Sequence, residues 1–333
     1  MLFRIDSFRT KVLCMGAAMS VFAGCTKENV DSQYVSGETV PVSISVSGPI
    51  VTRATDTDGE DSVSSLQVFI FRPDGVLEAY SKTIGNTAKA DCTVGSKDII
   101  AVVNAPEIPG VKTKSALESK VSYLKDNAPK SFVMYGSKSE TVSSASGTVT
   151  IPVTRLVSRI SIKKITNRLE LSQYESSKFL VKKIYIVNAA GDRRYTGSYA
   201  PTLWHNRGKC ESQGDLPSLL SSGELGDVTI QHGKSYETPH YFYCYPNPTE
   251  EDSSSSASPA YTRLVVEVSI DGKIYYYPVS IKGVQSNYTY NISELIITRL
   301  GSESPDIPVS YHEASFTVDV AEWKEGSDQS VTI

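Results

Sequence analysis

The sequence predicts an all-β protein made of two tandem β-sandwich domains with few short helices. Three observations lead to this prediction. Short runs of alternating apolar and polar residues recur along the chain and are separated by turn residues. Tyrosine is frequent (19 residues) and tryptophan is rare (2 residues), and tyrosine is enriched in strands. A length of 333 residues is enough to bury two modest hydrophobic cores.

The composition argues against several functional classes. Lys and Arg number 33 against 37 Asp and Glu, which gives a formal net charge of −4. A nucleic-acid binder needs a basic face to neutralise phosphates, so we expect no nucleic-acid partner. The sequence has no CxxC, HExxH, GxSxG, GxxxxGK[ST] or GxGxxG motif, and its 4 histidines lack metal-ligand spacing. We therefore expect neither an enzyme nor a metal or cofactor site.

The first 25 residues are typical of an export signal that ends at a cysteine for lipid attachment. Arg4, Arg9 and Lys11 precede an uncharged, mostly apolar stretch over 12–22, which is too short to span a bilayer. The stretch runs into the sequence Phe-Ala-Gly-Cys, which is similar to the lipobox of bacterial lipoproteins. We predict a signal peptide over 1–24 and lipidation of Cys25. The alternative is a plain secretory signal followed by a cysteine that occurs there by chance.

An internal repeat with an offset of 116 residues divides the rest of the chain. The strand pattern at 42–46 recurs at 158–162, and the pattern at 68–71 recurs at 184–187. In the second pair a glycine follows at the same distance in both copies. Two matches at one offset indicate duplicated β domains. We place the boundary near residue 155 and predict domains over 54–155 and 156–333.

Further strands, turns and helices follow from local patterns. Strands are expected over 66–71 and 99–103, and later over 241–245, 261–270, 273–281, 288–300 and 315–323. Asp271-Gly272 lies between two alternating runs, which is a strong hairpin signal. A capping-box pattern at 115–118, with apolar residues continuing at helical spacing, predicts a helix over 115–126. A second, short helix is expected over 216–220.

The strand predicted over 39–47 is followed by a segment that a protease could cut. Its apolar residues Val40, Val42, Ile44 and Val46 alternate, so this face should be buried, and we expect the strand at the edge of the first sandwich. The segment 52–61 is polar and acidic, and Arg53 is its only basic residue. A trypsin-like protease would find an accessible bond between Arg53 and Ala54. The alternative is an ordinary surface arginine in a linker.

Cleavage at this point would allow the preceding strand to leave. The groove left behind should capture another extended segment by β-augmentation. A head-to-tail contact of this kind does not close, so it grows a filament. Two C-terminal segments alternate in a suitable way and both stay open as the donor strand, the first marked by Phe316, Val318 and Val320, the second by Val331 and Ile333.

Several other groups of residues have a structural interpretation. Arg155 and Arg159 share one strand face and are expected to form a solvated or ion-paired edge at the domain junction. The acidic residues of 56–61 suit a solvated linker better than a calcium loop. The aromatic runs at 241–243 and 275–277 suit core packing better than a sugar-binding platform. Three cysteines remain after Cys25, and we expect buried thiols, although two of them, Cys210 and Cys244, could pair.

These motifs occur in an order and at spacings that resemble a known family. They are the lipobox at Cys25 and the segments 52–55, 68–75, 99–106, 132–136, 155–160, 241–247, 287–292 and 316–323. Together they cover nearly the whole chain, and on them the protein resembles the fimbrillin family, the type V pilins of Bacteroidales.

The resemblance implies a lipoprotein precursor with two transthyretin-like β-sandwich domains. Lipid on Cys25, palmitate included, would hold the precursor in the outer membrane. An arginine-specific protease would cut between Arg53 and Ala54, so that residues 25–53 serve as a tether and removable strand. A C-terminal strand of the next subunit would then fill the groove.

The resemblance also implies a role and partners. The role would be that of a shaft subunit of a fimbrium on the cell surface, which supports adhesion and biofilm formation. The partners would be other fimbrial subunits, the protease, the outer membrane, and receptors on host or bacterial surfaces. The alternative is a fimbrial anchor or tip subunit, or a surface glycan-binding lipoprotein, that keeps its N-terminal strand.

Overall fold

The computed structural model describes residues 37–48, 59–211, 216–250, 252, 260–307 and 314–323. Regular structure in these residues is nearly all β, and the helices are single short turns. This confirms the predicted all-β class. Among the same residues, no helix is both long enough and apolar enough to cross a bilayer.

The N-terminal half, up to residue 155, contains two sheets. Their strands follow the orders β4-β1-β8 and β3-β2-β5-β7-β9. A short helix, α1 (Lys114–Glu118), begins after Thr113, whose hydroxyl accepts a hydrogen bond from the Ala116 N–H (3.2 Å). The strands are β1 (Thr39–Ser47), β2 (Ser65–Phe71), β3 (Leu77–Ile84), β4 (Thr87–Thr93), β5 (Gly95–Val103), β6 (Val121–Tyr123), β7 (Met134–Val142), β8 (Val149–Pro152) and β9 (Thr154–Arg155).

The C-terminal half, from residue 156, contains two large sheets and a second short helix, α2 (Pro217–Leu220). One sheet has the order β17-β11-β21-β10-β18 with β22 also paired to β21, and the other has the order β16-β12-β19-β20. This half has a single 3-10 turn at Ser172–Tyr174, and the N-terminal half has one at Leu124–Asp126. The strands are β10 (Ser158–Ile162), β11 (Ile165–Asn167), β12 (Phe179–Val187), β13 (Ala189–Ala190), β14 (Asp192–Arg194), β15 (Trp204–His205), β16 (Ser221–Thr229), β17 (Ser235–Tyr236), β18 (His240–Cys244), β19 (Thr262–Ile270), β20 (Lys273–Ile281), β21 (Tyr288–Ile297) and β22 (Ala314–Glu322).

Strands related by the 116-residue offset occupy equivalent places in the two halves. β1 pairs with β4 antiparallel and with β8 parallel. β10, its counterpart, pairs with β18 antiparallel and with β21 parallel. β2 and its counterpart β12 each lie between two antiparallel neighbours. The sequence repeat therefore marks a repeat in strand pairing.

Two large clusters of buried apolar residues hold these sheets together. The smaller fills the space between the two N-terminal sheets and takes alternate residues of β2, Val68 and Ile70. The intervening residues, Phe69 and Phe71, belong to a larger cluster that also contains the core of the C-terminal half. Because β2 is buried on both faces, it reads as a continuous apolar run rather than an alternating one.

The two halves also share polar contacts. β6 pairs antiparallel with β14, and the Leu124 N–H donates to the Gly191 carbonyl (2.8 Å). The Tyr245 hydroxyl lies 2.8 Å from the Ser122 hydroxyl and accepts a hydrogen bond from the Asn127 side-chain amide (2.9 Å). All described residues fall within one compact unit, 37–333. The division into two domains at residue 155 stays a prediction.

Two local predictions are confirmed and two are wrong. α2 lies within 216–220 as expected, and the β19–β20 hairpin turns at Asp271 and Gly272, which have φ angles of 49° and 88°. The helix over 115–126 is wrong beyond α1, because the chain extends at 121–123 to form the β6 ladder. The edge position of β1 is also wrong, because β8 returns to pair with its second side.

A substitution at Gly136 in β7 tests the packing of the N-terminal sheets. A Cβ at this position would lie 2.2 Å from the Pro152 carbonyl oxygen, so the backbone must shift to admit it. We expect Gly136→Ala to lower the free energy of unfolding by about 1–3 kcal/mol in urea denaturation. Gly147→Ala is the control, because a Cβ there meets no atom within 4 Å. Equal losses in the two variants would contradict the packing described.

Candidate functional site

The apolar face of β1 is buried as the sequence predicted. Val40, Val42, Ile44 and Val46 are 6%, 1%, 0% and 4% exposed, whereas the residues between them face outward. Ile44 lies opposite Ala88 of β4 on one side and Val149 of β8 on the other. The four side chains therefore fill the space between β4, β8 and the facing sheet.

The burial of these side chains contributes substantially to stability. Full burial of one such side chain contributes roughly 1.5–3 kcal/mol to the free energy of unfolding, and burial of four contributes about 6–12 kcal/mol. Within the described residues, β4 and β8 do not pair with one another, so β1 supplies the ladder partner of both. Its removal would leave a groove with unpaired backbone on each side and an apolar floor.

The chain after β1 returns close to its starting point. Gly48 and Gly59 bound a segment, 49–58, that carries Arg53 and Ala54 and lies outside the described residues. The position that a Cβ would take at Gly48 lies 3.7 Å from the Asp61 carbonyl oxygen. The two ends of the segment are therefore neighbours, although ten residues separate them.

A buried charge cluster holds the chain on the far side of this segment. The carboxylate of Glu60 pairs with Arg159 (3.0 Å) and accepts a hydrogen bond from the Tyr243 hydroxyl (2.5 Å). The Glu60 carbonyl accepts a hydrogen bond from Nε of Arg155 (3.0 Å). All three charged residues are at most 7% exposed. We call these residues, with Trp323, the Glu60 cluster.

Trp323, at the end of β22, completes the Glu60 cluster. Its ring lies 4.3 Å from the Arg155 guanidinium carbon and 5.1 Å from that of Arg159, both in cation–π geometry. It also stacks on Tyr243, with ring centres 5.9 Å apart. The cluster thus joins the chain just after the 49–58 segment to the end of the last described strand.

The sequence interpretation of this region is wrong on two points. Arg155 and Arg159 do lie together, and Arg159 is ion-paired, but both are buried rather than solvated. Glu60 is likewise buried and does not belong to a solvated linker. A signal was present, since two arginines within an apolar strand run need a counter-charge, but the sequence does not say which carboxylate supplies it.

The first predicted donor segment forms a strand in its own chain. β22 pairs with β21, and Phe316, Val318 and Val320 pack partly buried against the larger core. These side chains are less buried than those of β1. Cys25, Arg53, Ala54, Val331 and Ile333 lie outside the described residues, so their predicted roles stay predictions.

The structure also locates the cysteines, the tyrosines of 275–277 and the potential metal ligands. Cys92, Cys210 and Cys244 are all unpaired, and burial raises the pKa of the Cys244 thiol to about 12. Tyr275 and Tyr277 are buried, which fits core packing rather than a sugar-binding platform. No three His, Cys, Asp or Glu side chains within the described ranges lie close enough together to hold a metal ion.

Comparisons with known proteins agree with this architecture. Residues 42–172 match the model of the family described as major fimbrial subunit protein (FimA). None of the curated proteins matches the sequence. The resemblance to fimbrillins predicted from the motifs is confirmed by the family match.

Solved structures share the fold over most of the chain. A protein with a proposed cell adhesion role from Bacteroides eggerthii is 18% identical, with 86% of this chain and 97% of that chain covered, at a TM-score of 0.63. The fimbrilin FimA of Porphyromonas gingivalis is 16% identical, with 87% of this chain and 99% of that chain covered, at a TM-score of 0.61. The tip fimbrial protein Mfa3 of the same organism is 14% identical, with 84% of this chain and 99% of that chain covered, at a TM-score of 0.52.

A substitution at Glu60 tests the buried ion pair. Glu60→Gln would leave the Arg159 charge buried without its partner, so we expect the free energy of unfolding to fall by about 3 kcal/mol in urea denaturation. Glu170→Gln is the matched control, because the Glu170–Arg299 pair is 3.8 Å apart and both side chains are more than half exposed. We expect this control substitution to lower the free energy of unfolding by less than about 1 kcal/mol. A loss at Glu60 no larger than at Glu170 would refute the role assigned to the cluster.

Proposed function

We propose that this chain, which resembles the FimA fimbrial subunits, is the structural subunit of a cell-surface fimbrial shaft. It is exported as a lipoprotein through Cys25 and held in the outer membrane. It is then cut between Arg53 and Ala54 by an arginine-specific protease. The mature subunit, 54–333, polymerises head-to-tail when a C-terminal strand of one subunit replaces β1 of another.

The family match supports the general part of this proposal. A fimbrial subunit works at the cell surface, and its partners are other fimbrial subunits. The fold shared with the fimbrilin FimA of Porphyromonas gingivalis is consistent with this role. Support for strand exchange itself comes from the geometry of this chain.

One observation carries the strand-exchange mechanism. β1 is paired on both sides, buries four apolar side chains, and precedes the Arg53 segment by only a few residues. A cut in that segment separates β1 from everything that follows. The groove that β1 occupies is then available to any strand with the same alternation.

The Glu60 cluster supports the same order of events. It fixes the chain from residue 60 onward through the contacts to Arg159 and Tyr243. The cut therefore releases only what lies before it. The mature N-terminus would begin six residues before a firmly held side chain.

Two donor strands remain open in this proposal. β22 carries Ala314, Phe316, Val318 and Val320 in one alternating row, which matches the spacing of the four apolar residues of β1. It would have to leave β21, but among the described residues β21 is its only strand partner, and it is only partly buried. Val331 and Ile333 supply only two apolar residues, against the four that β1 buries.

Cleavage of purified precursor by an arginine-specific protease tests the proposal. We expect a new N-terminus at Ala54 by mass spectrometry, followed by growth of large assemblies in light scattering. Arg53→Ala should remain uncut at this bond and monomeric. Arg299→Ala, which removes another exposed arginine, should polymerise like the unchanged protein. Cleaved protein that stays monomeric would rule out the exchange mechanism.

The N-terminus of the protein recovered from the cell surface tests the alternative role. An anchor or tip subunit, or a surface glycan-binding lipoprotein, would keep β1. Its mature chain would begin at Cys25 when recovered from membranes. The close packing of β1 suits that role as well as the precursor state, so the N-terminus of the surface form decides between them.

A competing peptide tests whether the groove accepts a strand from outside. A synthetic peptide of residues 38–48 should stop polymer growth when added in excess at the time of cleavage. The same peptide with Val42→Asn and Ile44→Asn loses two buried side chains, each worth roughly 1.5–3 kcal/mol. It should bind at least about 100-fold more weakly and leave growth unchanged. Equal effects of the two peptides would exclude groove occupancy as the cause.

A further inference from the structure

The two walls of the β1 groove, β4 and β8, have no ladder partner other than β1 among the described residues. The floor of the groove is different, because β2, β5 and β7 pair in that order whether or not β1 is present. Its apolar side chains, which include Val68, Ile99 and Met134, are fully buried. An empty groove therefore keeps the ladders of its floor, and only β4 and β8 need another hold.

A buried ion pair holds β4 at the end where β1 begins. The Glu78 carboxylate, from β3, accepts hydrogen bonds from the backbone N–H (2.7 Å) and the hydroxyl (2.6 Å) of Thr93, the last residue of β4. Nζ of Lys97, from β5, lies 2.8 Å from the second Glu78 oxygen and donates to the Thr93 hydroxyl (3.0 Å). The side chains of Glu78 and Lys97 are only 14% and 4% exposed. We call Glu78, Thr93 and Lys97 the Glu78 clamp.

The contacts of the Glu78 clamp do not involve β1. The Val94 N–H donates to the Glu38 carbonyl (3.0 Å), directly before β1. Amides alternate in direction along a strand, so those of Ala90 and Cys92 also face β1, whereas that of Thr93 faces away from it. The clamp therefore holds the far side of β4, and its hydrogen bonds remain available when β1 leaves.

The Glu60 cluster holds β8 near its other end. β8 leads after one residue into β9, which pairs with β7. The guanidinium of Arg155, in β9, donates from Nε to the Glu60 carbonyl (3.0 Å). Neither contact involves β1. Since β1 begins opposite Thr93 and ends opposite Pro152, the two walls are held at opposite ends of the groove.

We propose that the groove stays formed when β1 is absent, with its walls held by the Glu78 clamp and the Glu60 cluster. This preformed surface accepts an alternating apolar strand from a second copy of the chain. β4 presents Ala88 and Ala90 opposite the buried Ile44 and Val42, so the groove fits branched aliphatic side chains at alternate positions. The choice of a second copy as the occupant rests on the proposed strand exchange, whereas the persistence of the empty groove does not.

Hydrogen exchange of single amides in the uncleaved precursor, followed by NMR, tests whether the walls outlast β1. The amides of Ala90 and Cys92 lose their partners when β1 is released, whereas the Thr93 amide stays bonded until β4 itself comes away. We expect Thr93 to exchange at least about tenfold more slowly than Ala90 and Cys92, after correction for intrinsic rates. Equal or faster exchange at Thr93 would overturn the proposal, because the walls would then be lost together with β1.

A substitution at Glu78 tests the cause of this protection. Glu78→Ala removes the acceptor of the Thr93 amide and leaves Lys97 buried without a counter-charge, so we expect the tenfold difference to disappear. Glu107→Ala is the matched control, because Glu107 forms an ion pair of the same length, 2.8 Å, with an exposed lysine of β3. A difference that persists in Glu78→Ala would contradict the role of the clamp. The comparison within the unchanged precursor does not depend on the folding of this variant.

Failure of the preformed groove and failure of strand exchange give different results. If Thr93 is protected as expected but cleaved protein stays monomeric, strand exchange is wrong and the preformed groove stands. If polymers grow but Thr93 and Ala90 exchange at equal rates, the incoming strand rebuilds the groove, and the proposal made here is wrong. The exchange measurement uses uncleaved monomer, so neither cleavage nor polymer growth affects it.

Discussion

The two-sided pairing of β1 is the constraint on which the N-terminal half depends. β4 and β8 face each other across β1 and pair only through it among the described residues. The partners of β1 lie about 45 and 105 residues later in the chain, so this sheet is assembled from distant segments. An antiparallel hairpin can exist with a single neighbour, but this three-stranded layer needs its central member or a substitute of the same shape. That need is the physical basis for any exchange of strands.

The Glu60 cluster provides a different kind of hold on the chain. β1 is held by apolar burial and backbone ladders, which any alternating strand can reproduce. Glu60, by contrast, is held by a buried ion pair and a tyrosine hydroxyl, which depend on one carboxylate in one place. The first kind of contact is replaceable and the second is specific. The segment that contains Arg53 lies between them, so a cut there would separate a strand held by replaceable contacts from a residue held by specific ones.

Local chemistry predicted most of the strands and failed where distant partners decide the outcome. Local sequence patterns predicted the Asp271-Gly272 turn, the alternation of β1 and the 116-residue repeat. Each of these features depends on neighbouring residues or on copies of them. The helix predicted over 115–126 failed because β14, some 70 residues later, pairs with 121–123. The central place of β1 depended on β8 in the same way. Glu60 was missed because its environment comes from Arg159 and Tyr243, which are far away in sequence.

The mixed pairing of β1 gives its groove a direction. A strand that lies there must run parallel to β8 and antiparallel to β4 to restore both ladders. In a polymer joined as proposed, every connection would then point the same way along the fibre. Such a fibre is polar, and its two ends differ chemically, one with an unfilled groove and the other with an unused strand. Growth and termination would therefore be separate events at separate ends, and each would require its own mechanism.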